Sequence, residues 1–137
     1  MLEGVHHINF LVTDLETAIG RYRKFFELES VQIESLPERG VKTARFDVKG
    51  VWIVLVQPID EDSEPMRHLR QYGEGLYLVS FAVDDLNAAK DGLAAKGAID
   101  KSAKERDGLQ GWRVIDLQPD AVFGALIQLT EDKKQSS

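Results

Sequence analysis

The sequence contains no cysteine among its 137 residues. This absence excludes a disulfide framework, a thiolate metal site and a cysteine nucleophile, so the protein ligands of any metal would be histidine, carboxylate or amide groups. Basic residues are also few, because 17 lysines and arginines stand against 23 acidic residues and the formal net charge is -6. Such a chain repels a nucleic-acid backbone, and we expect no nucleic-acid partner.

Long apolar runs are also absent, since none approaches the roughly 20 residues that a helix needs to span a bilayer. We therefore expect no membrane partner, and the lack of cysteine agrees with a cytoplasmic location. Apolar residues make up 43% of the chain, which is enough for a packed core. The length suits one small domain.

One sequence pattern occurs twice in the chain. HINFLVTDLETA, from His7, aligns with LVSFAVDDLNAA, from Leu78, at an offset of 78 − 7 = 71 residues. Each copy reads as a β-strand, a helix and three further strands. In the first copy Thr13 and Glu16 form a predicted capping box for a helix that ends near Phe26. The second helix is predicted at about 85–96, followed by a weak strand near Ile99.

Side chains alternate across a strand, so the predicted strands divide into two rows. One row is apolar and suits burial under the helices; it contains Ile8, Phe10, Val12, Ile53, Leu55, Val79, Phe81, Val83, Ile127 and Leu129. The other row is mixed; it contains His7, Asn9, Leu11, Trp52, Val54, Val56, Leu78, Ser80, Ala82, Leu126, Gln128 and Thr130, with Thr43, Arg45, Trp112 and Asp116 at its border. The mixed row is either a ligand-binding cleft or a solvated sheet face, and its large apolar side chains favour the cleft.

These patterns predict an α+β fold in which two βαβββ modules in tandem form a cupped mixed sheet around a cleft, with the helices on the outer face. A single domain is expected over residues 1–131. Its first module covers 5–58, a linker with a short helix covers 59–75, and the second module covers 76–131. Residues 132–137 are predicted to form a disordered tail.

Four ordered segments carry a resemblance to a known family: HINFLVTDLETAIGRYRKFF, GVKTARFDVKGVWIVLVQP, EDSEPMRHLRQYGEGLYLVSFAVDDLNAA and GWRVIDLQPDAVFGALIQL. Together they resemble the vicinal oxygen chelate superfamily, which includes glyoxalases, bleomycin resistance proteins and dioxygenases, and within it the methylmalonyl-CoA epimerases. The resemblance covers nearly the whole chain. It implies the tandem βαβββ fold and, by analogy with the family, a homodimer.

The resemblance also implies a divalent metal site with four ligands: a histidine, a glutamate or glutamine, a second histidine and a glutamate. These positions fall at His7, Val54, Leu78 and Gln128. Only His7 and Gln128 carry donor atoms, so the implied metal site is degenerate. We expect no cofactor, with a weakly bound divalent metal as the alternative.

Three residues are candidates for catalysis, His7, Arg45 and Asp116. His7 has three interpretations: a former metal ligand, a general base, or a hydrogen-bonded core residue. Arg45 corresponds to Asp116 at the offset of the repeat, 116 − 45 = 71. We hypothesise that these two face one another across a pseudo-twofold axis, as an ion pair or as an anion anchor with an acid/base group. The alternative is that both are solvated at the rim.

Three functions remain open from the sequence. The first is a small-molecule-binding protein that works without the metal, which the loss of ligands in a retained cleft favours; Asn9, Thr43, Trp52, Ser80 and Trp112 would then line the cleft. The second is an isomerase or lyase of altered mechanism acting on an acyl-CoA or keto compound, which the epimerase-like linker favours. The third, a metal-dependent epimerase or glyoxalase, requires ligands that the sequence lacks. Whether the chain is an enzyme stays open.

Overall fold

A computed structural model of the chain describes residues 1–133. Within these residues the chain forms eight strands and three α-helices. The strands are β1 (Leu2–Leu11), β2 (Gln32–Leu36), β3 (Val41–Val48), β4 (Val51–Pro58), β5 (Gly75–Val83), β6 (Arg106–Asp107), β7 (Arg113–Asp116) and β8 (Ile127–Glu131). The helices are α1 (Leu15–Phe26), α2 (Glu64–Tyr72) and α3 (Leu86–Ala95). The predicted α+β class is confirmed.

The chain divides into two compact units. The N-terminal unit is Ile8–Tyr77, and the C-terminal unit combines Met1–His7 with the chain from Leu78 onward. β1 therefore begins in the C-terminal unit and ends in the N-terminal unit. The first module predicted from the sequence, 5–58, contains most of β1, and that division stays a prediction, because a repeat in sequence does not show which half of the chain a strand packs with.

Antiparallel strands β2, β3 and β4 form the sheet of the N-terminal unit. The turn between β3 and β4 consists of Lys49 and Gly50, both with positive φ angles, which is the conformation that a two-residue hairpin requires. Beyond β1, the backbone N–H of Val12 donates to the carbonyl of Val56 at 2.9 Å. The end of the first strand therefore joins the edge formed by β4.

Helix α1 buries the apolar row of the N-terminal unit, as the sequence predicted. Its residues Leu15, Ala18, Ile19 and Tyr22 belong to one hydrophobic cluster, which also contains Phe10, Val12, Val31, Ala44 and Leu55. Phe26, the last residue of the helix, is exposed, and its ring contacts Tyr22 edge-on. Phe26 ends the helix, and the chain turns at Glu27, whose φ is 53°.

Strands β5, β8, β7 and β6 are hydrogen-bonded in that order in the C-terminal unit. β5 and β8 run parallel, whereas the other two pairs are antiparallel, so the sheet is mixed. Helix α3 packs on this sheet through a second hydrophobic cluster, which contains Val83, Leu86, Ala89, Ile99, Ile115 and Leu129. Val83 and Leu129 of the predicted apolar row are thus buried under this helix, and Phe81 packs against them.

Two local predictions need correction. Asp14, not Thr13, caps α1, and its carboxylate accepts from the N–H of Thr17; Thr13 instead donates its N–H and hydroxyl to Glu74. Ile99 lies in a bend rather than a strand and is buried in the core under α3. The side chain of Ile99 fills the core, and its backbone pairs with no strand. The short strand of this region is β6 instead.

The first residue of the predicted tail, Asp132, lies within the described residues. Its carboxylate contacts His6 of the C-terminal unit. The remainder of the predicted tail, 134–137, lies outside the described residues. Within residues 1–133, the helices are all too short or too polar to cross a lipid bilayer.

Candidate functional site

His7 is at the centre of the site in the C-terminal unit. It belongs to β1 and is only 3% exposed. Its Nδ1 lies 2.8 Å from the Nδ1 of His6. The indole of Trp112 stacks on its ring, with the centroids 4.9 Å apart. The imidazole is therefore enclosed by its neighbours on one edge and one face.

His6 is also buried, at 2% exposure, and contacts the same residues. Its Nε2 lies 2.8 Å from a carboxylate oxygen of Asp132, and its ring meets Trp112 edge-on at 4.5 Å. Side chains of adjacent residues in a regular strand point to opposite faces, so the sequence did not predict this contact. Exposure is excluded, because the Nδ1 contact draws the two adjacent rings together and Asp132 covers the far edge of His6.

Gln128 supplies the second polar group of the site. In the register of the sheet it lies between Ser80 of β5 and Asp116 of β7. Its Nε2 donates to Asp116 Oδ1 at 3.4 Å, whereas its buried Oε1 makes no hydrogen bond of full geometry among the described residues. Asp116 in turn accepts from both Nη atoms of Arg106. A buried acceptor without a donor is rare in proteins, which makes this atom a candidate contact for a ligand.

The environment of His7 favours its neutral form. Burial and the electrostatic effect of His6 lower the pKa of His7 from 6.5 to about 3, although the Gln128 side chain acts in the opposite direction. At neutral pH the imidazole therefore carries one proton and one lone pair. The contact with Gln128 also shows that the two sequence-predicted donors, His7 and Gln128, come together.

Leu78 and Ser80 occupy the mixed row of β5 and are both buried. Ser80 forms a hydroxyl–hydroxyl hydrogen bond with Thr130. Leu78 carries no donor atom at the position where the family resemblance implies a histidine. This part of the mixed row is therefore closed by internal hydrogen bonding and apolar packing.

Arg45 lies in the N-terminal unit and is 2% exposed, so it is not a solvated rim residue. Its Nη1 donates to Glu34 at 2.8 Å and its Nη2 to Gln32 at 3.0 Å. Its guanidinium also lies over the ring of Trp52, 5.2 Å from the centroid. The sequence analysis missed both polar partners, although alternation along β2 places Gln32 and Glu34 on one face.

The other predicted site residues of the N-terminal unit have distinct environments. Thr43 is buried and donates to the backbone carbonyl of Glu34 at 2.7 Å. Val54 is buried, and Asn9 keeps a buried Oδ1 without a hydrogen-bond partner. The hypothesis that Arg45 faces Asp116 across a pseudo-twofold axis stays a prediction. Over residues 1–133, no group of three or more histidine or acidic side chains is arranged to share a metal ion.

The chain is similar to known proteins over most of its length. The Glyoxalase/Bleomycin resistance protein/Dioxygenase superfamily profile matches residues 6–115. The ethylmalonyl-CoA/methylmalonyl-CoA epimerase of Cereibacter sphaeroides is 28% identical over 133 residues, which are 96% of this chain and 99% of that protein. The mitochondrial methylmalonyl-CoA epimerase of Homo sapiens is 28% identical over 95% of this chain and 74% of its own length.

Among solved structures, a single-residue variant of Streptomyces coelicolor methylmalonyl-CoA epimerase, in complex with 2-nitronate-propionyl-CoA, superposes with a TM-score of 0.88. It is 28% identical, and the match covers 96% of this chain and 99% of that one. The similarity of fold therefore extends over almost the full length of both proteins.

Proposed function

Because this chain belongs to the Glyoxalase/Bleomycin resistance protein/Dioxygenase superfamily, we propose that it binds an acyl-CoA thioester at the His7–Gln128 pair without a divalent metal held by four protein ligands. The epimerases that it resembles support this ligand class. One of them was solved with 2-nitronate-propionyl-CoA. We propose only that this chain binds the same class of ligand, an acyl-CoA thioester.

The buried Oε1 of Gln128 is the observation on which the proposal depends. Within residues 1–133 this atom has no hydrogen bond of full geometry, and it belongs to a side chain that contacts His7 and whose Nε2 is directed to Asp116. Leaving a buried acceptor unsatisfied costs roughly 1–3 kcal/mol. A ligand that donates to this atom recovers that free energy, which makes the His7–Gln128 pair a binding position rather than inert core.

The donor set does not fit the four-ligand metal site that the family resemblance implies. His7 offers one nitrogen and Gln128 one neutral oxygen, whereas Val54 and Leu78 offer no donor. Structural and catalytic sites for divalent transition metals use three or four protein ligands. Two ligands, one of them an uncharged amide, hold such an ion weakly, and no step of the proposed binding depends on it.

Binding is better supported than proton transfer. A general base works best with a pKa near the operating pH, whereas His7 has a pKa of about 3. Asp116, the other candidate, is engaged by both Nη atoms of Arg106. An isomerase or lyase therefore stays the second candidate, since it needs a base that these contacts do not favour.

Titration of purified protein with butyryl-CoA, after dialysis against EDTA, tests the proposal. We expect saturable quenching of tryptophan fluorescence, because Trp112 stacks on His7, and no tighter binding after Co²⁺ or Ni²⁺ is added. Gln128→Leu should weaken binding about tenfold. The control is His68→Gln, which alters a histidine on α2 outside the pair. Absence of binding, or binding only with added metal, contradicts the proposal.

A second measurement separates binding from catalysis. Methylmalonyl-CoA incubated with the protein in D₂O exchanges its α-hydrogen only if a base removes it. We expect no exchange above the rate without protein. Protein-dependent exchange that is lost in His7→Ala would favour the isomerase instead.

A further inference from the structure

The loop between β7 and β8 begins and ends at the candidate site. β7 ends with Asp116, whose register partner on β8 is Gln128. Directly beyond this pair the N–H of Leu117 donates to the carbonyl of Ile127 at 3.0 Å, which closes the loop at its base. Residues 117–127 are therefore attached at both ends to the side chains around which the proposed function is built.

A hydrogen bond inside the loop fixes the shape of its tip. The loop contains a short 3₁₀ turn, Pro119–Val122, and the next residue is Phe123. The N–H of Gly124 donates to the carbonyl of Pro119 at 2.8 Å, so the backbone is bonded on both sides of Phe123. The ring of Phe123 is therefore presented by a defined turn of the chain.

Phe123 itself has two features that the fold does not favour. Its side chain is 100% exposed, so the ring gains nothing from the core. Its φ is 60°, in the left-handed region that glycine and asparagine adopt readily and a bulky side chain does not. Residues held in this region cost free energy and occur often at ligand-binding positions. Folding alone would favour glycine or asparagine here.

The composition of the loop also differs from that of the rest of the chain. Its sequence, LQPDAVFGALI, has one charged residue, whereas 29% of the whole chain is charged. Ala121, Phe123 and Ala125 are exposed at its tip. Exposed apolar surface that the fold does not use is typical of a contact with a ligand or a partner. The two ends of the loop connect this surface to Gln128, which favours the ligand.

We infer that Phe123 packs against the acyl chain of the bound thioester and thereby selects longer acyl chains over short ones. The inference rests on the proposed function, since it assumes that a thioester binds at the His7–Gln128 pair. The acyl chain is the part that suits the ring, because a phenyl group gains from hydrocarbon and forms no ordinary hydrogen bond with the amides of the CoA arm. A contact made only in the complex accounts for a ring that the free chain leaves in water.

Wild-type protein titrated with acetyl-CoA, butyryl-CoA and hexanoyl-CoA under EDTA provides the first test. We expect the affinity to rise about tenfold from acetyl-CoA to hexanoyl-CoA, because one side of the longer chain leaves water against the ring. An affinity that does not depend on chain length overturns the inference, although the proposed function stands. If no thioester binds, the proposed function itself fails.

Two variants of Phe123 separate the ring from the backbone. Phe123→Asn removes the ring and suits the left-handed backbone, whereas Phe123→Tyr keeps a ring. We expect Phe123→Asn to weaken the binding of hexanoyl-CoA about tenfold and that of acetyl-CoA less than about twofold, and Phe123→Tyr to behave as wild type. An equal loss for all three thioesters would assign the ring to the CoA arm and overturn the acyl-chain contact. Unchanged binding in Phe123→Asn overturns it as well.

Urea denaturation of Phe123→Asn distinguishes a ligand contact from a structural role. Asparagine adopts the backbone conformation of this position at lower cost than phenylalanine, and an exposed ring contributes nothing to the core. We therefore expect Phe123→Asn to unfold at an equal or higher urea concentration than wild type, while its affinity for hexanoyl-CoA falls. A structural residue would lose stability and affinity together, so a clear loss of stability contradicts the inference.

Phe25→Asn is the matched control, because Phe25 is also exposed but lies on α1 of the N-terminal unit. It should leave the affinities for the three thioesters unchanged, and a loss equal to that of Phe123→Asn overturns the inference. Sedimentation velocity tests the other occupant, a second copy of the chain. A wild-type oligomer that dissociates in Phe123→Asn would assign the ring to an interface between copies and overturn the inference.

Discussion

The indole of Trp112 stacks on the imidazole of His7, with the ring centroids 4.9 Å apart and the planes inclined by 21°. The same indole meets His6 at 86°, so one side chain packs against both histidines. Trp112 directly precedes β7 and is buried. Its burial of the His7 face excludes water from the imidazole, which is the largest cause of the lowered pKa.

Trp112→Ala should lower the free energy of unfolding by about 3–5 kcal/mol, because it removes a large buried aromatic ring and leaves a cavity beside two imidazoles. Trp112→Phe should cost less, since a ring still stacks on His7. Urea denaturation followed by circular dichroism measures both. Trp52→Ala is the matched control, because Trp52 is only partly buried. A loss for Trp112→Ala no larger than that of the control would contradict the packing role.

The stability of the protein should fall with pH below about 6.5. The unfolded chain protonates His7 near 6.5, whereas the folded chain does so only near 3. Between these values the unfolded state binds more protons, so the free energy of unfolding decreases by up to about 1.4 kcal/mol for each unit that the pH falls. Above 6.5 His7 contributes no pH dependence, because it is neutral in both states.

Urea denaturation at several pH values between 5 and 7.5 measures this slope. His7→Gln should make the slope shallower, since it removes the titrating group. His68→Gln should retain most of it, because His68 lies on the exposed helix α2. Identical slopes for wild type and His7→Gln would show that His7 is not the source.

Metal binding should appear when the donors implied by the family resemblance are introduced. The double variant Leu78→His and Gln128→Glu combines with His7 to give three donors of the expected types within the C-terminal unit. We expect it to retain about one Co²⁺ per chain after dialysis, with wild type retaining far less. Elemental analysis and the visible spectrum of Co²⁺ report the result.

The control for this experiment is the same double variant with His7→Ala added, which should lose the ion. Stoichiometric metal in wild-type protein would instead show that the two donors are sufficient and that the proposed metal-free binding is wrong.

Arg45→Ala should destabilise the N-terminal unit by about 2–3 kcal/mol, because it leaves the half-buried Glu34 and the amide of Gln32 without their cationic partner. Arg45→Lys should lie between wild type and Arg45→Ala, since an ammonium cannot make the two forked contacts. Thermal denaturation measures both variants. Unchanged stability would contradict the structural role, whereas a tenfold loss of butyryl-CoA affinity would revive the anion-anchor hypothesis.

Periodicity and the internal repeat were sufficient to predict most of the secondary structure. α1 ends at Phe26 as expected, and the second predicted helix, at about 85–96, corresponds to α3. The repeat also relates the two helix caps, since Asp14 and Asp85 each accept from the backbone N–H three residues later. The error at Thr13 arose because its hydroxyl bonds to Glu74, a partner 61 residues away that local sequence does not reveal.

The local chemistry of this chain follows from the sequence by itself. The order of strands and helices, the apolar rows under α1 and α3, and the loss of donor atoms at Val54 and Leu78 depend only on residue type and spacing. Backbone periodicity sets which side chains share a face, and a hydrocarbon side chain offers no ligand in any fold.

Only the tertiary structure decided the surroundings of the two donors that remain. His6 and Asp132 are 126 residues apart in the chain, yet they form a hydrogen bond at 2.8 Å. The stacking of Trp112 on His7 is equally non-local. The pKa of a buried group and the direction of an amide depend on neighbours brought together by packing, and spacing along the chain does not encode those neighbours.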